Sequence, residues 1–150
     1  KHNLQGKNVQ SCGCLNLENI TNLGLSKRLY TPEIGTARMV YSNIYNDGDL
    51  TFEQFYDMSQ QNCHYCNSEP LNKFNRFIHK GNKVSGFAIE NGLFIYNGLD
   101  RVDSSKGHYI DNVVTCCKHC NRAKMAMSLD EFKKWLTKTY EFFIKKSPAE

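Results

Sequence analysis

Two short helices are predicted between residues 31 and 59 by the spacing of the apolar positions. Thr31 followed by Pro32 is typical of a helix start, with a capping side chain before a proline at the first helical position. The apolar face of this helix comprises Ala37, Val40, Tyr41 and Ile44. The polar residues 46–49 end the pattern as a turn. Thr51 and Gln54 then form a capping box for a second helix, whose apolar stripe comprises Phe52, Phe55 and Tyr56.

The middle of the chain predicts short strands followed by a helix. Residues 67–93 are polar, basic and poor in periodicity, which is typical of a long loop or an irregular hairpin. Residues 94–96 are strand-like, Gly98 marks a turn into Asp100, and residues 112–115 form a second strand after a loop at 104–107. Residues 121–127 are expected to begin a helix.

A long terminal helix is predicted over residues 128–147. Ser128 and Glu131 form a capping box at its start, and Pro148 stands beyond its end. The face expected to pack on the core comprises Leu129, Phe132, Trp135, Leu136, Tyr140 and Phe143. The predicted fold class is therefore α+β: a small β core with helices before it and a long helix after it.

Charge is concentrated in one part of the chain. The 150 residues carry a net charge of +4, and 40% of them are hydrophobic, which allows one compact domain with a modest core. Residues 61–127 contain nine Lys and Arg against five Asp and Glu, whereas the rest of the chain has ten of each. This excess of positive charge is expected of a segment that binds phosphates. The alternative is that it only keeps an ordinary protein surface soluble, since such surfaces carry a similar mild charge. No apolar run approaches the roughly 20 residues that cross a bilayer.

Two Cys-x-x-Cys knuckles lie at the ends of this segment, and they predict one structural Zn²⁺ per chain. The four ligands are Cys63, Cys66, Cys117 and Cys120. Disulfides would need an oxidising compartment, and no segment resembles a signal peptide; a redox dithiol would not explain two knuckles. Cys12 and Cys14, in an N-terminal arm at residues 1–30, resemble half of a further knuckle, and Cys116 is expected to be a packed, buried thiol.

A second cation site is predicted beside the zinc. Asp100 and Asn121 are expected to face each other where the first strand ends and the helix begins, and their oxygens suit Mg²⁺ or Mn²⁺. Such a cation can hold a phosphate oxygen and stabilise the leaving oxygen of a cut phosphodiester. The expected contacts to DNA phosphates are Lys106, Lys118, Arg122 and Lys124.

These motifs resemble those of the HNH, or ββα-metal, endonucleases. The similar segments are Gly98-Leu99-Asp100-Arg101-Val102-Asp103, Lys106-Gly107-His108-Tyr109, Asn112-Val113-Val114, and Cys117-x-x-Cys120-Asn121-x-x-Lys124. They are most similar to the zinc-containing phage branch with endonuclease VII-like and homing-type enzymes. The resemblance implies a nuclease core at residues 61–127, flanked by a helical segment at 31–60 and the terminal helix at 128–147.

The resemblance also implies roles for individual residues. Asp100 and Asn121 match the catalytic cation ligands, and Asn112 matches the residue that braces the loop and orients the base. The family has a base histidine directly after the ligand acid, whereas this chain has Arg101, which stays protonated and is suited to hold the scissile phosphate. The candidates for the base are then His108, Asp103 or metal-bound hydroxide.

The favoured function is a metal-dependent DNA endonuclease that nicks DNA or cuts both strands. One alternative is a non-catalytic, zinc-braced nucleic-acid-binding module in which Arg101 marks a lost active site. The other is a zinc-scaffolded interaction domain without a nucleic-acid role. DNA is the expected partner, with no membrane involvement; a homodimer is left open. The expected location is intracellular, in the cytoplasm of a host cell if the chain is phage-encoded.

Overall fold

Helices and short antiparallel strands form a mixed α+β fold in the computed structural model, which describes residues 31–78 and 84–146. The elements are α1 (Pro32–Ile44), α2 (Phe52–Ser59), β1 (Asn72–Phe74), α3 (Gly86–Glu90), β2 (Phe94–Tyr96), β3 (Gly98–Arg101), a 3₁₀ turn (Ile110–Asn112), β4 (Val113–Cys116), α4 (Lys118–Lys124), α5 (Leu129–Thr139) and a π-helical turn (Tyr140–Ile144). The predicted arm at 1–30, with Cys12 and Cys14, and Pro148 lie outside the described residues.

Helices α1 and α2 begin where the sequence predicts. The Thr31 hydroxyl accepts a hydrogen bond from the backbone N–H of Ile34 at 3.2 Å, and Thr51 and Gln54 form both hydrogen bonds of the capping box. Ile44, which the pattern places on the apolar face, is the last residue of α1 and is 49% exposed. Tyr45 is buried instead, and its hydroxyl accepts a hydrogen bond from the N–H of Leu99.

Aromatic side chains make up most of the core between these helices and the strands. The rings of Phe94 and Tyr96 stack with centroids 4.8 Å apart, and those of Tyr45 and Phe55 lie at the same separation. The buried cluster comprises Ile34, Ala37, Val40, Tyr45, Leu50, Phe52, Phe55, Phe94, Leu99 and Val113. It joins α1, α2, β2, β3 and β4, so the predicted helical segment and the strand region share one core.

The strands pair as two separate two-stranded sheets. β1 pairs with β2, with Asn72 opposite Tyr96, and β3 pairs with β4, with Arg101 opposite Val113. Residues 67–93 were predicted to be a loop or irregular hairpin, but they contain β1 and α3. The two elements are joined by the buried side chain of Asn75, which donates a hydrogen bond to the carbonyl of Ile89. Because this buried residue is polar, it does not appear in a pattern of apolar positions, and the sequence did not reveal the elements.

The break between β2 and β3 falls at Asn97 rather than at the predicted Gly98 turn. Asn97 is fully buried, and its amide donates hydrogen bonds to the carbonyls of Gln61 and Ser68. Gly98 itself is the first residue of β3. After this break, β3, β4 and α4 follow one another in the chain as a strand–strand–helix unit.

The terminal helix starts as predicted but does not pack as predicted. Ser128 and Glu131 form the capping box, yet Phe132 is the one fully buried side chain of α5. Phe132 packs edge-on against Tyr65, with ring centroids 5.5 Å apart. Leu129 is half-buried, and the rest of the predicted face is exposed: Trp135, Leu136, Tyr140 and Phe143. The helix leaves the core after its first turn, so the prediction of a buried face is wrong beyond Phe132.

Within residues 31–78 and 84–146, no helix has the length and apolar character needed to cross a membrane.

Candidate functional site

The four knuckle cysteines come together at one point. Cys63 and Cys66 lie after α2, and Cys117 and Cys120 lie at the start of α4. Their Sγ atoms all lie within 4.8 Å of one another, and those of Cys66 and Cys117 are 3.7 Å apart. Thiolates bound at about 2.3 Å to one tetrahedral ion are separated by about 3.8 Å. The cluster is therefore able to hold a metal ion, as the spacing predicts.

The protein environment favours thiolate at one of these ligands. Hydrogen bonds from Ser68 lower the pKa of Cys66 to about 6, and the two side-chain atoms lie 3.3 Å apart. Cys116 is different, because burial raises the pKa of its thiol, and it is 0% exposed. The prediction that Cys116 is a packed, buried thiol is confirmed.

Backbone contacts hold the two knuckles in place. The N–H of His64 donates to the carbonyl of Thr115 at 2.8 Å, which attaches the first knuckle to β4. Asn67 closes the same turn in the left-handed region, with φ of 58°. The Sγ of Cys117 caps α4 by accepting from the N–H of Cys120 at 3.4 Å. This cap starts α4 at Lys118, three residues before the predicted start at 121.

A cleft with a cavity volume of about 870 Å³ opens beside the cysteine cluster, between β3 and α4. The predicted site residues that line it are Asp100, Arg101, His108, Lys118, Asn121 and Arg122. Lys73, from the basic segment of residues 67–93, and His119, from the second knuckle, also line it. Asn121 lies on α4, and its side chain is exposed toward solvent. Residues far apart in the chain thus line one cleft.

Asp100 is buried and already paired. Its Oδ2 accepts a hydrogen bond from the hydroxyl of Tyr65 at 2.7 Å and lies 3.1 Å from Nζ of Lys124. Lys124 is fully buried, and its Nζ also donates to the carbonyl of Arg101. Lys124 was predicted to contact DNA phosphate, and that prediction is wrong, because its ammonium group points into the protein and neutralises Asp100.

Asn112 braces the loop that connects β3 and β4. Its Nδ2 donates to the carbonyls of Asp103 and Gly107, at 3.1 and 3.0 Å, and its Oδ1 accepts from the N–H of Asp103. Asn112 is buried, so these hydrogen bonds are shielded from water. It therefore acts on the loop, and it is not among the residues that line the cleft.

Asp103 and Lys106 belong to the same loop. One carboxylate oxygen of Asp103 accepts from the backbone and hydroxyl of Ser105, and the other lies 3.5 Å from Nζ of Lys106. The hydrogen bonds from Ser105 lower the pKa of Asp103, which makes it a weaker proton acceptor. Lys106 is exposed, as a phosphate contact should be, but it does not line the cleft.

His108 lines the cleft and contacts the carboxylate of Asp47, which was not among the predicted site residues. Nδ1 of His108 is 2.5 Å from Oδ1 of Asp47, and its backbone N–H donates to the same oxygen. The guanidinium group of Arg101 approaches the other oxygen of Asp47, at 3.9 Å. Asp47 was interpreted only as part of a turn; an acid in a turn that follows a helix carries no signal of a partner 61 residues away.

Comparisons with known proteins identify no family for the chain. No family model matches it, and no solved structure matches it. The chain is 26% identical over 83 residues to the Uncharacterized protein R423 of Acanthamoeba polyphaga mimivirus. That match covers 55% of this chain and 12% of the mimivirus protein, so the chain spans a small part of its relative.

Proposed function

We propose that this chain is a metal-dependent DNA endonuclease of the HNH, or ββα-metal, type, which hydrolyses phosphodiester bonds by nicking or by cutting both strands. The supporting observation is that Asp100, Arg101, His108 and Asn121 all line one cleft next to the four-cysteine cluster. In phosphodiester hydrolysis an imidazole can act as general base, a guanidinium group can stabilise the developing charge, and carboxylate and amide oxygens can bind a cation.

The charge of the cleft supports a nucleic acid as the substrate. Four of its lining residues are basic: Lys73, Arg101, Lys118 and Arg122. Asp100 is the one acidic residue among the lining side chains, and Lys124 neutralises it. A concave surface with this excess of positive charge attracts phosphates.

Zn²⁺ is the metal proposed for the cysteine cluster. An all-thiolate, tetrahedral set of four ligands is typical of structural zinc and leaves no open position for chemistry. Because the cluster joins the turn after α2 to the start of α4, the metal would hold the cleft wall against the helical core.

Mg²⁺ or Mn²⁺ is the proposed catalytic cation, with Asp100 and Asn121 as its protein ligands. Both offer hard oxygen donors on the cleft wall, and such a cation accepts few protein ligands because it keeps waters and substrate oxygens. Oδ1 of Asp100 is 3.4 Å from Lys124, farther than Oδ2, which leaves Oδ1 as the freer donor. When bound, the cation supplies positive charge that stabilises the leaving oxygen.

His108 is the proposed general base. Its Nδ1 is occupied by Asp47, so Nε2 is the nitrogen that removes a proton from the attacking water. The water oxygen bonds to phosphorus, the bond from phosphorus to the leaving oxygen breaks, and that oxygen takes a proton from solvent water. The guanidinium group of Arg101 stabilises the negative charge that develops on the phosphate oxygens in the transition state.

Plasmid cleavage tests this proposal. Supercoiled plasmid is incubated with the protein and Mg²⁺ or Mn²⁺, with and without EDTA, and nicked or linear product is expected only without EDTA. Asn121→Ala should abolish cleavage while zinc content and circular dichroism stay unchanged. The matched control is Asn91→Ala, an exposed asparagine that does not line the cleft, which should cleave like the parent.

The alternative is a non-catalytic, zinc-braced nucleic-acid-binding module. Two observations favour it: Arg101 replaces the family histidine, and Lys124 occupies the carboxylate that a catalytic cation would need. Under this alternative the protein retards labelled DNA in a gel but yields no product with either cation, and Arg101→His does not restore cleavage.

A further inference from the structure

We propose that Asp47 is the positioning residue for His108, and that it holds the imidazole with the proton on Nδ1 and the free electron pair on Nε2. This inference rests on the proposed function, because it concerns the base of that reaction. Asp47 belongs to the turn between α1 and α2, far in sequence from the strand–strand–helix unit. The proposal thus makes the helical segment part of the catalytic machinery.

The first support is a double contact to one oxygen. Oδ1 of Asp47 lies 2.5 Å from Nδ1 of His108 and 3.1 Å from its backbone nitrogen. An ionised carboxylate only accepts hydrogen bonds, so Nδ1 must be the donor in this contact. The hydrogen bond from the His108 side chain lowers the pKa of Asp47, which keeps the carboxylate ionised. The position of the ring and its tautomer are therefore set by the same atom.

The second support is the close fit of the two chain segments. A Cβ on Gly48 would collide with the backbone of His108, and a Cβ on Gly107 would collide with the carbonyl of Asp47. Two further hydrogen bonds join the segments: the N–H of Leu50 donates to the carbonyl of His108, and the N–H of Ile110 donates to Asp49. The turn of residues 46–50 is thus held rigidly against the loop that carries the base.

The remaining neighbours restrict the ring further. The side chain of Tyr45 meets the His108 ring edge-on, with centroids 4.8 Å apart. The charged groups around the ring are Asp47 and Arg101, with Asp49 in the same turn and Asp100 on the shared cleft wall. Only 11% of the His108 side chain is exposed, and it lines the cleft, so Nε2 is the ring nitrogen left for the substrate water.

Nitrogen-15 NMR of the imidazole rings tests the tautomer without any cleavage assay. In the zinc-loaded protein above neutral pH, His108 should show a protonated Nδ1 and an unprotonated Nε2. Asp47→Ala should lose this pattern and exchange between tautomers. The matched control is Asp49→Ala, which removes a carboxylate from the same turn that bonds Ile110 and not the His108 ring.

Kinetics then test the consequence. Asp47→Ala should lower kcat by about 10–100-fold, as for partners that orient a functional histidine, with little change in KM. Asp57→Ala, which removes an exposed carboxylate on α2 away from the cleft, should keep the parent kcat. If Asp47→Ala does not fold, Asp47→Asn keeps the size of the side chain but not its charge, and its kcat should still fall.

The outcomes separate this proposal from the proposed function. A parent His108 protonated on Nε2, or an Asp47→Ala variant with the parent kcat, would overturn the positioning role. A parent protein with the expected tautomer but no cleavage would leave the Asp47–His108 geometry in place and reject the nuclease.

Discussion

Lys124 and Asp100 form an ion pair in the interior of the protein, with Nζ 3.1 Å from Oδ2 and side chains 0% and 5% exposed. Tyr65, which lies between Cys63 and Cys66 in the chain, donates to the same carboxylate. The pair therefore connects α4, β3 and the first knuckle at the base of the cleft. Both charges are removed from water, so each depends on the other for compensation.

Lys124→Met should destabilise the protein by about 3–5 kcal/mol, because it leaves the Asp100 carboxylate buried without its counter-ion. Urea unfolding of the metal-loaded protein measures the change. The control is Lys118→Met, since Lys118 is exposed on the same helix and its loss should cost less than about 0.5 kcal/mol. Equal unfolding midpoints for the two variants would contradict a structural role for the buried pair.

Cys66→Ser should lower the zinc content by one ion per chain, as measured by elemental analysis. The remaining three thiolates do not complete the tetrahedral set, and the binding free energy of a structural metal contributes to folding. Thermal unfolding should shift to lower temperature together with the metal loss. Cys116→Ala is the control: this neighbouring buried cysteine is outside the cluster, so its loss should leave the zinc bound. An unchanged zinc content in Cys66→Ser would show that the ion is held elsewhere.

Gly48→Ala and Gly107→Ala should each destabilise the protein by about 1–3 kcal/mol, the usual cost of forcing extra atoms into a packed contact. In both cases the added Cβ collides with backbone of the facing segment, which is unable to move like a side chain. Gly86→Ala is the matched control, because no atom lies within 4 Å of its added Cβ. Chemical denaturation compares the three, and a Gly86 variant as unstable as the others would refute the close-approach argument.

Phe132→Ala should cost about 3–5 kcal/mol, since it removes the buried aromatic side chain that attaches α5 to the Tyr65 ring. Phe142→Ala should change the free energy of unfolding little, because that side chain is 71% exposed. Because Phe142 lies in the π-helical turn that follows α5, the comparison measures how far beyond Phe132 the terminal helical segment packs on the core. Similar losses for both phenylalanines would mean that the helix is covered along its whole length.

We expect the free energy of unfolding to depend on pH through Glu131, which lies in the first turn of α5. Hydrogen bonds from the hydroxyl and N–H of Ser128 lower its pKa below the ordinary 4.5. The unfolded chain therefore binds the proton more readily, and the contribution of Glu131 is present above pH 4.5 and is lost as pH falls through the lower folded pKa. Glu131→Gln should lower the melting temperature at neutral pH, with the difference disappearing in acid. A difference independent of pH would refute this assignment.

Local signals in the sequence correctly predicted where α1, α2 and α5 start and which four cysteines come together. A cap such as Thr31 or Ser128 acts over three residues, and a Cys-x-x-Cys turn places two sulfurs together, so neighbouring residues are sufficient. The burial of the terminal helix was not predictable in this way. An apolar helix face shows that the helix can pack against another apolar surface, but it does not show that such a surface lies next to it. Among the described residues of that face, Phe132 is the one that is buried.

The sequence by itself determined which groups are available: a tetrathiolate cluster, an acid on a strand, an amide on the helix that follows, and a histidine in the connecting loop. The tertiary structure decided what those groups contact. The side chain of Lys124 points inward and pairs with Asp100, and Asp47 contacts His108 although 61 residues separate them in the chain. Pairings of this kind depend on how the loops close and on the cost of burying a charge without compensation, and neither quantity is encoded in a local pattern.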